Sequence, residues 1–357
     1  MNKLRFGILG AADIARKNWK SIYYSGNAVV TAVASRDLAR SRRFIRELQA
    51  EAPFRTVPVA LGSYEELLAS PDVDAVYIPL PTGLRKEWVL RAAAAGKHIL
   101  CEKPCALNAA DLREMIATCR KHRVQFMDGV MFMHNPRLDR IRTVLDDGKS
   151  VGRIKRIMSN FSFHLGEDRL PTNIRVNSRL EPAGCLGDVG WYCIRFALWA
   201  MRWQLPREVS ARVLSRRAAR RSPAPVPSDF SAELIFGGET SAGFYCSFIA
   251  EYQHWVHVSG TKGWLMVPDF VHPRDDHEPV FEVNQKEIRV KCCKCLGKHD
   301  QGLEHAQFTN MVRNFANGVF SGRLNHEWPM WALKTQQVMD ACLESARRGR
   351  PVKLLNR

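Results

Sequence analysis

Two patterns of apolar and polar positions divide the chain. Up to about residue 128, short apolar runs alternate with segments whose apolar residues recur at helical spacing. Leu4–Leu9, Val29–Ala34, Val57–Leu61, Asp74–Ile78, His98–Cys101 and Val124–Met127 read as strands. Between them the spacing predicts helices: one carrying Trp19 and Ile22, and a short one opened by the capping box Ser63-Tyr-Glu-Glu66. Two more run from Leu84 to Ala95, closed by Gly96, and from Asn108-Ala-Ala-Asp111 to about His122. Such alternation predicts a doubly wound parallel sheet.

Beyond Asp128 the pattern changes. After a helix from Arg137 to Leu145, alternating segments follow at Ile154–Phe163, Glu208–Leu214, Ser231–Phe236, Thr240–Ile249 and Trp255–Ser259. Thr261-Lys262-Gly263 makes a tight turn before Trp264–Val267. Strands joined by turns predict a mostly antiparallel open sheet with one face covered. Helices are predicted at Leu186 to Trp203, Glu304 to Asn317 and Trp331 to Arg348. The fold class is therefore α/β in two parts, with boundaries at 1–128 and 129–357, the C-terminal helix being free to pack back on the first part.

The candidate chemistry sits where the predicted parallel strands end, since ligands of such sheets bind beyond their carboxyl ends. Gly10-x-Ala12-x-x-Ala15 follows the first strand and matches the dinucleotide fingerprint G-x-G-x-x-G/A with its second glycine replaced by alanine. Gly10 permits the turn, a small residue at 12 lets backbone approach a pyrophosphate, and the helix amino terminus attracts the anion. That makes the first part a Rossmann-type domain. At the end of the second strand, where a carboxylate would grip the ribose hydroxyls of NAD, stand Ser35 and Arg36, with Arg40 about one helical turn on. A hydroxyl and guanidinium groups suit a 2′-phosphate, so the cofactor expected is NADP rather than NAD. Asp37 is expected to cap the next helix. The turn Pro79-Leu80-Pro81-Thr82 is expected to line the nicotinamide side. The run His98–Cys101 ends at Glu102-Lys103-Pro104, which puts Lys103 at the mouth of the cofactor cleft.

Composition narrows the class. A chain of 357 residues can build two domains with substantial cores, and 46% hydrophobic with 25% charged residues is ordinary for a globular protein. No apolar run approaches the ~20 residues needed to span a bilayer. Met1 leads directly into Leu4–Leu9 without room for a signal peptide, so the expected location is the cytoplasm. Ten cysteines, Cys101, Cys119, Cys185, Cys193, Cys246 and Cys342 among them, occupy apparent core positions and read as buried small hydrophobes of a reducing compartment. The cluster Cys292-Cys293-Lys294-Cys295, near His299, lacks the paired C-x2-C spacing of a zinc site, and no metal is expected there. The net charge of +17 is spread along the chain except at Arg216–Arg221, which leads into Ser222–Pro227, an expected exposed loop. Without a nucleic-acid-binding motif beside it, this run reads as a solvated loop.

Taken together, these residues resemble the glucose–fructose oxidoreductase/inositol dehydrogenase/MocA (Gfo/Idh/MocA) family over nearly the whole chain. Gly7-Ile-Leu-Gly10 with Ala12 and Ala15, Cys101-Glu102-Lys103-Pro104, and Gly184-Cys-Leu-Gly-Asp188-Val-Gly-Trp-Tyr192 resemble its landmarks in order. Gly260-Thr-Lys-Gly263 and the closing Glu344–Val352 add to the likeness. Within the family the chain is most similar to the NADP-dependent sugar and trans-dihydrodiol dehydrogenase branch, which carries Tyr at position 192 where inositol dehydrogenases usually carry His.

The resemblance implies hydride transfer between a nicotinamide and a carbinol carbon of a sugar, polyol or cyclic diol. It implies cofactor contacts from Gly10, Ala11, Ala12, Asp13, Ile14, Ser35, Arg36, Arg40, Pro79, Leu80, Pro81, Thr82, Glu102 and Lys103. Tyr192 would be the acid–base group, helped by Lys103, and Asp188, on the same helix face, would hold that lysine or a substrate hydroxyl. Arg175 and Asn135 would be placed to touch substrate. Arg85 and Asn135 depart from the His common at the first position and the His or Tyr common at the second, implying a substrate unlike the best-known sugars. A homodimer or higher homo-oligomer through the second domain's sheet is implied too, and no nucleic-acid or membrane partner. The rival reading is a cofactor-binding sensor of the same fold, which would need neither Lys103 nor Tyr192.

Overall fold

The computed structural model describes residues 2–291 and 306–354. By internal contacts these form two units, one of residues 2–106, 110–135 and 306–332, the other of residues 107–109, 136–291 and 333–354.

The first unit opens with β1 (Leu4–Leu9), α1 (Asp13–Ser25), β2 (Ala28–Ala34), α2 (Leu38–Glu51), β3 (Val59–Leu61) and α3 (Tyr64–Ala69). It continues through β4 (Ala75–Ile78), α4 (Thr82–Ala94), β5 (His98–Cys101), α5 (Ala109–Lys121) and β6 (Phe126–Asp128). The sheet order is β3-β2-β1-β4-β5-β6, and every pair is parallel. All four residues of β4 are buried, as a strand covered on both faces requires. Trp19 of α1 is fully buried, edge-on to Phe54 at 5.1 Å, and its indole N–H donates to the Ala52 carbonyl at 3.0 Å. The third strand is shorter than its apolar run: Pro58 has no N–H to pair and Val57 is exposed at the sheet edge.

The second unit contains α6 (Arg137–Asp146), β7 (Ile154–Ser162), α7 (Trp191–Ala200), β8 (Glu208–Arg217), β9 (Val226–Ile235) and β10 (Ser241–Ser247). Then come β11 (Gln253–Gly260), β12 (Trp264–Val267), β13 (Val280–Val283) and β14 (Lys286–Arg289). The chain closes with α8 (Ala306–Phe320), α9 (Glu327–Arg348) and β15 (Val352–Lys353). Of these, α8 belongs to the first unit, where Phe315 is fully buried with its ring 5.7 Å from Phe6 of β1. The second unit's sheet runs β14-β13-β12-β11-β7-β10-β9-β8-β15, antiparallel throughout except for the parallel pair β10–β7.

Two local readings change. Arg216 and Arg217 are the end of β8, paired with Pro227 and Val226 of β9, so Val226 and Pro227 are buried strand residues and not part of an exposed loop. The helix expected from Leu186 begins as a π-helical turn, Leu186–Gly190, and becomes α7 only at Trp191. A side-chain carbon at Gly190 would come within 3.0 Å of Cys246 Sγ on β10, so glycine lets this turn seat on the sheet. All ten residues of α7 are buried, which makes it an apolar helix with no solvent face. Its one guanidinium, Arg195, donates from Nε to Thr335 Oγ1 of α9 at 2.7 Å.

A second buried guanidinium ties α6 to the loop before β13. Arg137, 2% exposed, pairs with Asp269 Oδ1 at 2.5 Å and donates to the carbonyls of Asp269 and Val280, both at 2.9 Å. Removing one partner of such a pair strands a buried charge. Arg137→Met is expected to destabilise the protein by about 3–5 kcal/mol in urea unfolding, with part recovered in Arg137→Met/Asp269→Asn. Equal losses in the single and double variants would show that the ion pair is not what matters.

Candidate active site

In the first unit the strand ends converge as the sequence implies. Gly10 has φ +116°, and its N–H donates to the Ala34 carbonyl at 2.8 Å, joining the ends of β1 and β2. A side-chain carbon there would meet Leu80 at 3.2 Å and the Tyr64 hydroxyl at 3.6 Å. Ala12 is the N-cap of α1 and supplies no side-chain cap, so the helix terminus before Asp13 and Ile14 is open to an acceptor. Ser35 is buried, Arg36 is exposed, and Arg40 donates to the Ala11 carbonyl at 2.8 Å. Asp37 caps α2, accepting from Ala39 N–H at 2.9 Å, so its carboxylate is engaged locally. Burial pushes the Tyr64 phenol up, against the opposing fields of Arg36 and Arg40. Tyr64 thus joins the two arginines in a group the sequence did not single out.

The Pro79–Thr82 turn is fastened by Arg85. This guanidinium, 5% exposed, donates from Nε to the Leu80 carbonyl at 2.6 Å and from Nη1 to Thr82 Oγ1 at 2.9 Å and to the Pro104 carbonyl. Arg85 therefore binds the turn after β4 to the segment after β5. The Lys103–Pro104 peptide is cis, and Lys103 is half-buried. Glu102 turns inward: one oxygen accepts from the Tyr77 hydroxyl at 2.7 Å, the other from Lys103 N–H at 3.3 Å, and Asn18 donates to that same Tyr77 hydroxyl at 2.8 Å. Burial raises the Glu102 carboxyl, partly countered by the charge of Lys103. Asn135 is also buried, its amide 3.5 Å from Gln307 Oε1 on α8.

In the second unit Tyr192 is the second residue of α7, 7% exposed, with its ring 5.6 Å from Phe161 of β7. Asp188, expected to hold Lys103 or a substrate hydroxyl, accepts from Arg175 Nε at 2.7 Å. Asp188 holds the Arg175 guanidinium above its ordinary range, and Tyr192 contributes in the same direction. Around Phe161 lie three rings that pattern alone did not reveal: His254 at 5.6 Å, His272 at 6.2 Å and the exposed Tyr252 at 6.5 Å. Burial brings His254 down to about 4, so this imidazole is neutral at physiological pH. Tyr252 and His254 lie two residues apart at the start of β11, where the register against β7 sets His254 opposite Phe161, and His272 comes from the loop after β12.

No group of three metal-ligating side chains occurs among the described residues. Cys292, Cys293, Cys295 and His299 lie outside them. No helix among the described residues is long and apolar enough to cross a membrane.

Two family models match the chain: residues 4–130 match an oxidoreductase family with an NAD-binding Rossmann fold, and residues 138–266 match the GFO/IDH/MocA C-terminal domain. A trans-1,2-dihydrobenzene-1,2-diol dehydrogenase of Bos taurus is 34% identical over 67% of this chain and 66% of its own. A dTDP-3,4-didehydro-2,6-dideoxy-alpha-D-glucose 3-reductase of Actinomadura kijaniata is 30% identical over 97% and 96%. Among solved structures, KijD10, a 3-ketoreductase of Actinomadura kijaniata in complex with NADP and TDP-benzene, superposes with a TM-score of 0.82 at 28% identity, covering 96% of this chain and 98% of its own. With both of its domains matched in order, and whole-length likeness at this level, the chain belongs to the Gfo/Idh/MocA oxidoreductase family.

Proposed function

We propose that this protein is an NADP-dependent dehydrogenase or reductase acting on a carbinol or keto carbon of a sugar, polyol or cyclic diol. The reading is carried by one conjunction: a glycine-built turn whose ribose end gathers Arg36 and Arg40, in the same chain as a tyrosine fixed on a fully buried helix. The similar proteins support it, one being a 3-ketoreductase solved with NADP and another a dihydrodiol dehydrogenase. The residues present fit the cofactor. Gly10 leaves room for backbone to approach a pyrophosphate, the terminus at Asp13 and Ile14 favours an anion, and Ser35, Arg36 and Arg40 suit a 2′-phosphate.

When bound, the nicotinamide supplies or takes up the hydride. The chain's own part is to orient and to move a proton. Ala11 and Ala12 offer backbone, the Pro79–Thr82 turn braced by Arg85 forms a rigid wall, and Glu102 fixes the backbone from which Lys103 projects. In oxidation the ionised Tyr192 takes the substrate hydroxyl proton, and in reduction the phenol returns it. An unperturbed phenol ionises near ~10, so the base needs positive charge, which we assign to Lys103. Arg175 and Asn135 remain candidates for substrate contact. The location we propose is the cytoplasm, with support from the seven cysteines among the described residues, all free and buried. We propose a homodimer through the open sheet of the second unit.

NADP(H) is expected to bind more tightly than NAD(H), and Arg36→Ala is expected to lose that preference by roughly ten- to a hundred-fold, the worth of a charge-assisted hydrogen bond. Fluorescence titrations with both cofactors measure it, and equal wild-type affinities would remove the NADP assignment. Tyr192→Phe keeps the ring but not the exchangeable proton. Turnover is expected to fall by ~10²–10⁴-fold with NADP(H) affinity nearly unchanged. A panel of polyols, ketoses and cyclic diols read at the nicotinamide absorbance supplies the substrate, and near-normal turnover of the variant on it would refute Tyr192 as the acid–base group.

A further inference from the structure

The ion pair between Arg175 and Asp188 is partly exposed, the two side chains being 47% and 21% accessible, but the stretch that presents Arg175 is braced by the fold. Arg175 lies in a single helical turn, Ile174–Val176, whose first N–H groups are organised by Asn173: its Oδ1 accepts from Arg175 N–H at 3.0 Å. Val176 is fully buried, and its carbonyl accepts from Ala219 N–H at 2.9 Å. Arg220 N–H donates to the Pro171 carbonyl at 2.8 Å, so backbone of the basic segment after β8 braces the stretch that presents Arg175. The guanidinium lies over the Phe163 ring at 6.0 Å, and its Nε meets Asp188 Oδ2 at 2.7 Å.

Asp188 precedes Tyr192 by four residues along continuous helical backbone, Leu186–Gly190 running into Trp191–Ala200. Both Asp188 and Tyr192 act on the Arg175 guanidinium, which brings the two side chains to one place. A carboxylate with no counter-charge there would oppose a phenolate at Tyr192, since two like charges at close range penalise the second ionisation. The ion pair reverses the sign, because the guanidinium both neutralises Asp188 and attracts the phenolate.

We propose that Arg175 is a positioning residue which, by binding Asp188, keeps that carboxylate from opposing the ionisation of Tyr192 and so sets the pH at which Tyr192 can accept a proton. This rests on the reading of Tyr192 as the acid–base group. Other charged or titratable groups of this unit around the pair are Glu181, which also faces the guanidinium, and His254, His272 and Tyr252 across Phe161, the Tyr252 phenol being pushed up by burial. His254 is neutral over the relevant range. The basic segment after β8 thereby acquires a role in holding Arg175 by its backbone.

The test needs no substrate. Tyrosinate absorbance followed against pH, taken as the difference between the protein and its Tyr192→Phe variant, isolates the titration of Tyr192. Arg175→Met is expected to raise that midpoint by about one unit or more, Arg175→Lys to raise it less, and Arg175→Met/Asp188→Asn to bring it most of the way back. Asp188→Asn alone, which leaves the guanidinium in place, is expected to lower the midpoint. The same series in a Lys103→Met background is expected to show the same order, separating the two cations. An unmoved midpoint in Arg175→Met, or a double variant that titrates like Arg175→Met, overturns the proposal. Should Arg175→Met fail to fold, an unmoved midpoint in Asp188→Asn does so equally. Turnover of Tyr192→Phe judges the acid–base reading separately, since this titration reports ionisation whether or not the tyrosine is used in chemistry.

Discussion

The parallel sheet of the first unit ends flush, and the proposed cofactor contacts depend on that alignment. Leu9 stands opposite Ala34, and Ile78 opposite Cys101, so the residues that follow each pair emerge at one edge. Backbone hydrogen bonding forces this: parallel partners must run in register, and a strand that overran its neighbours would leave N–H and C=O groups without partners. Gly10, Ser35, Pro79 and Glu102 are therefore the first residues beyond the strand ends on four neighbouring strands. Three of them stay tied to the sheet by their N–H groups, Gly10 to the Ala34 carbonyl, Ser35 to Leu61 and Glu102 to Ile78, so backbone fixes the edge at which a ligand would be met.

Rigidity at this edge comes from buried polar groups rather than from apolar packing alone. Arg85 spans the turns after β4 and β5, and Glu102 with Tyr77 and Asn18 forms an interior chain of hydrogen bonds beneath Lys103. The second unit repeats the device with Arg137 on Asp269 and Arg195 on Thr335. Desolvating a guanidinium is costly and is offset only when several acceptors meet it in good geometry. Alternative packings that lose one acceptor are then strongly disfavoured. These networks narrow the number of backbone arrangements available near the proposed chemistry, at little net gain in stability.

Much of this was legible in the sequence because it is local. The alternation of short apolar runs with helical periodicity gave β1 to β6 and their helices, and Gly10 with Ala12 and Ala15 marked the turn after β1. Ser35 and Arg36 could be read from their offset to β2 alone. What escaped depends on residues far apart in the chain. The partners of Arg85, the Leu80 and Pro104 carbonyls, cannot be read from the residues beside it, nor can the Tyr77 hydroxyl that meets Glu102 or the Gln307 amide beside Asn135. The π-helical start before α7 was read as ordinary helix, since it follows from the close seat of Gly190 on Cys246. The strands β13, β14 and β15 are too short to show a period, and Cys292, Cys293 and Cys295 fall outside the described residues.

The assignment of α8 to the first unit bears on the order in which the protein can mature during synthesis. The ring of Phe315 sits against Phe6, and Trp328 stacks on Phe315 at 6.3 Å, so β1 is finished by residues translated long after it. Domains generally fold as they leave the ribosome, the amino-terminal one first. Here the nucleotide-binding unit must wait, with the face of β1 that receives α8 uncovered, until residues 136–291 of the other unit have been translated. A nascent chain halted before residue 306 would carry every residue of the cofactor fingerprint and still lack the wall that closes its core.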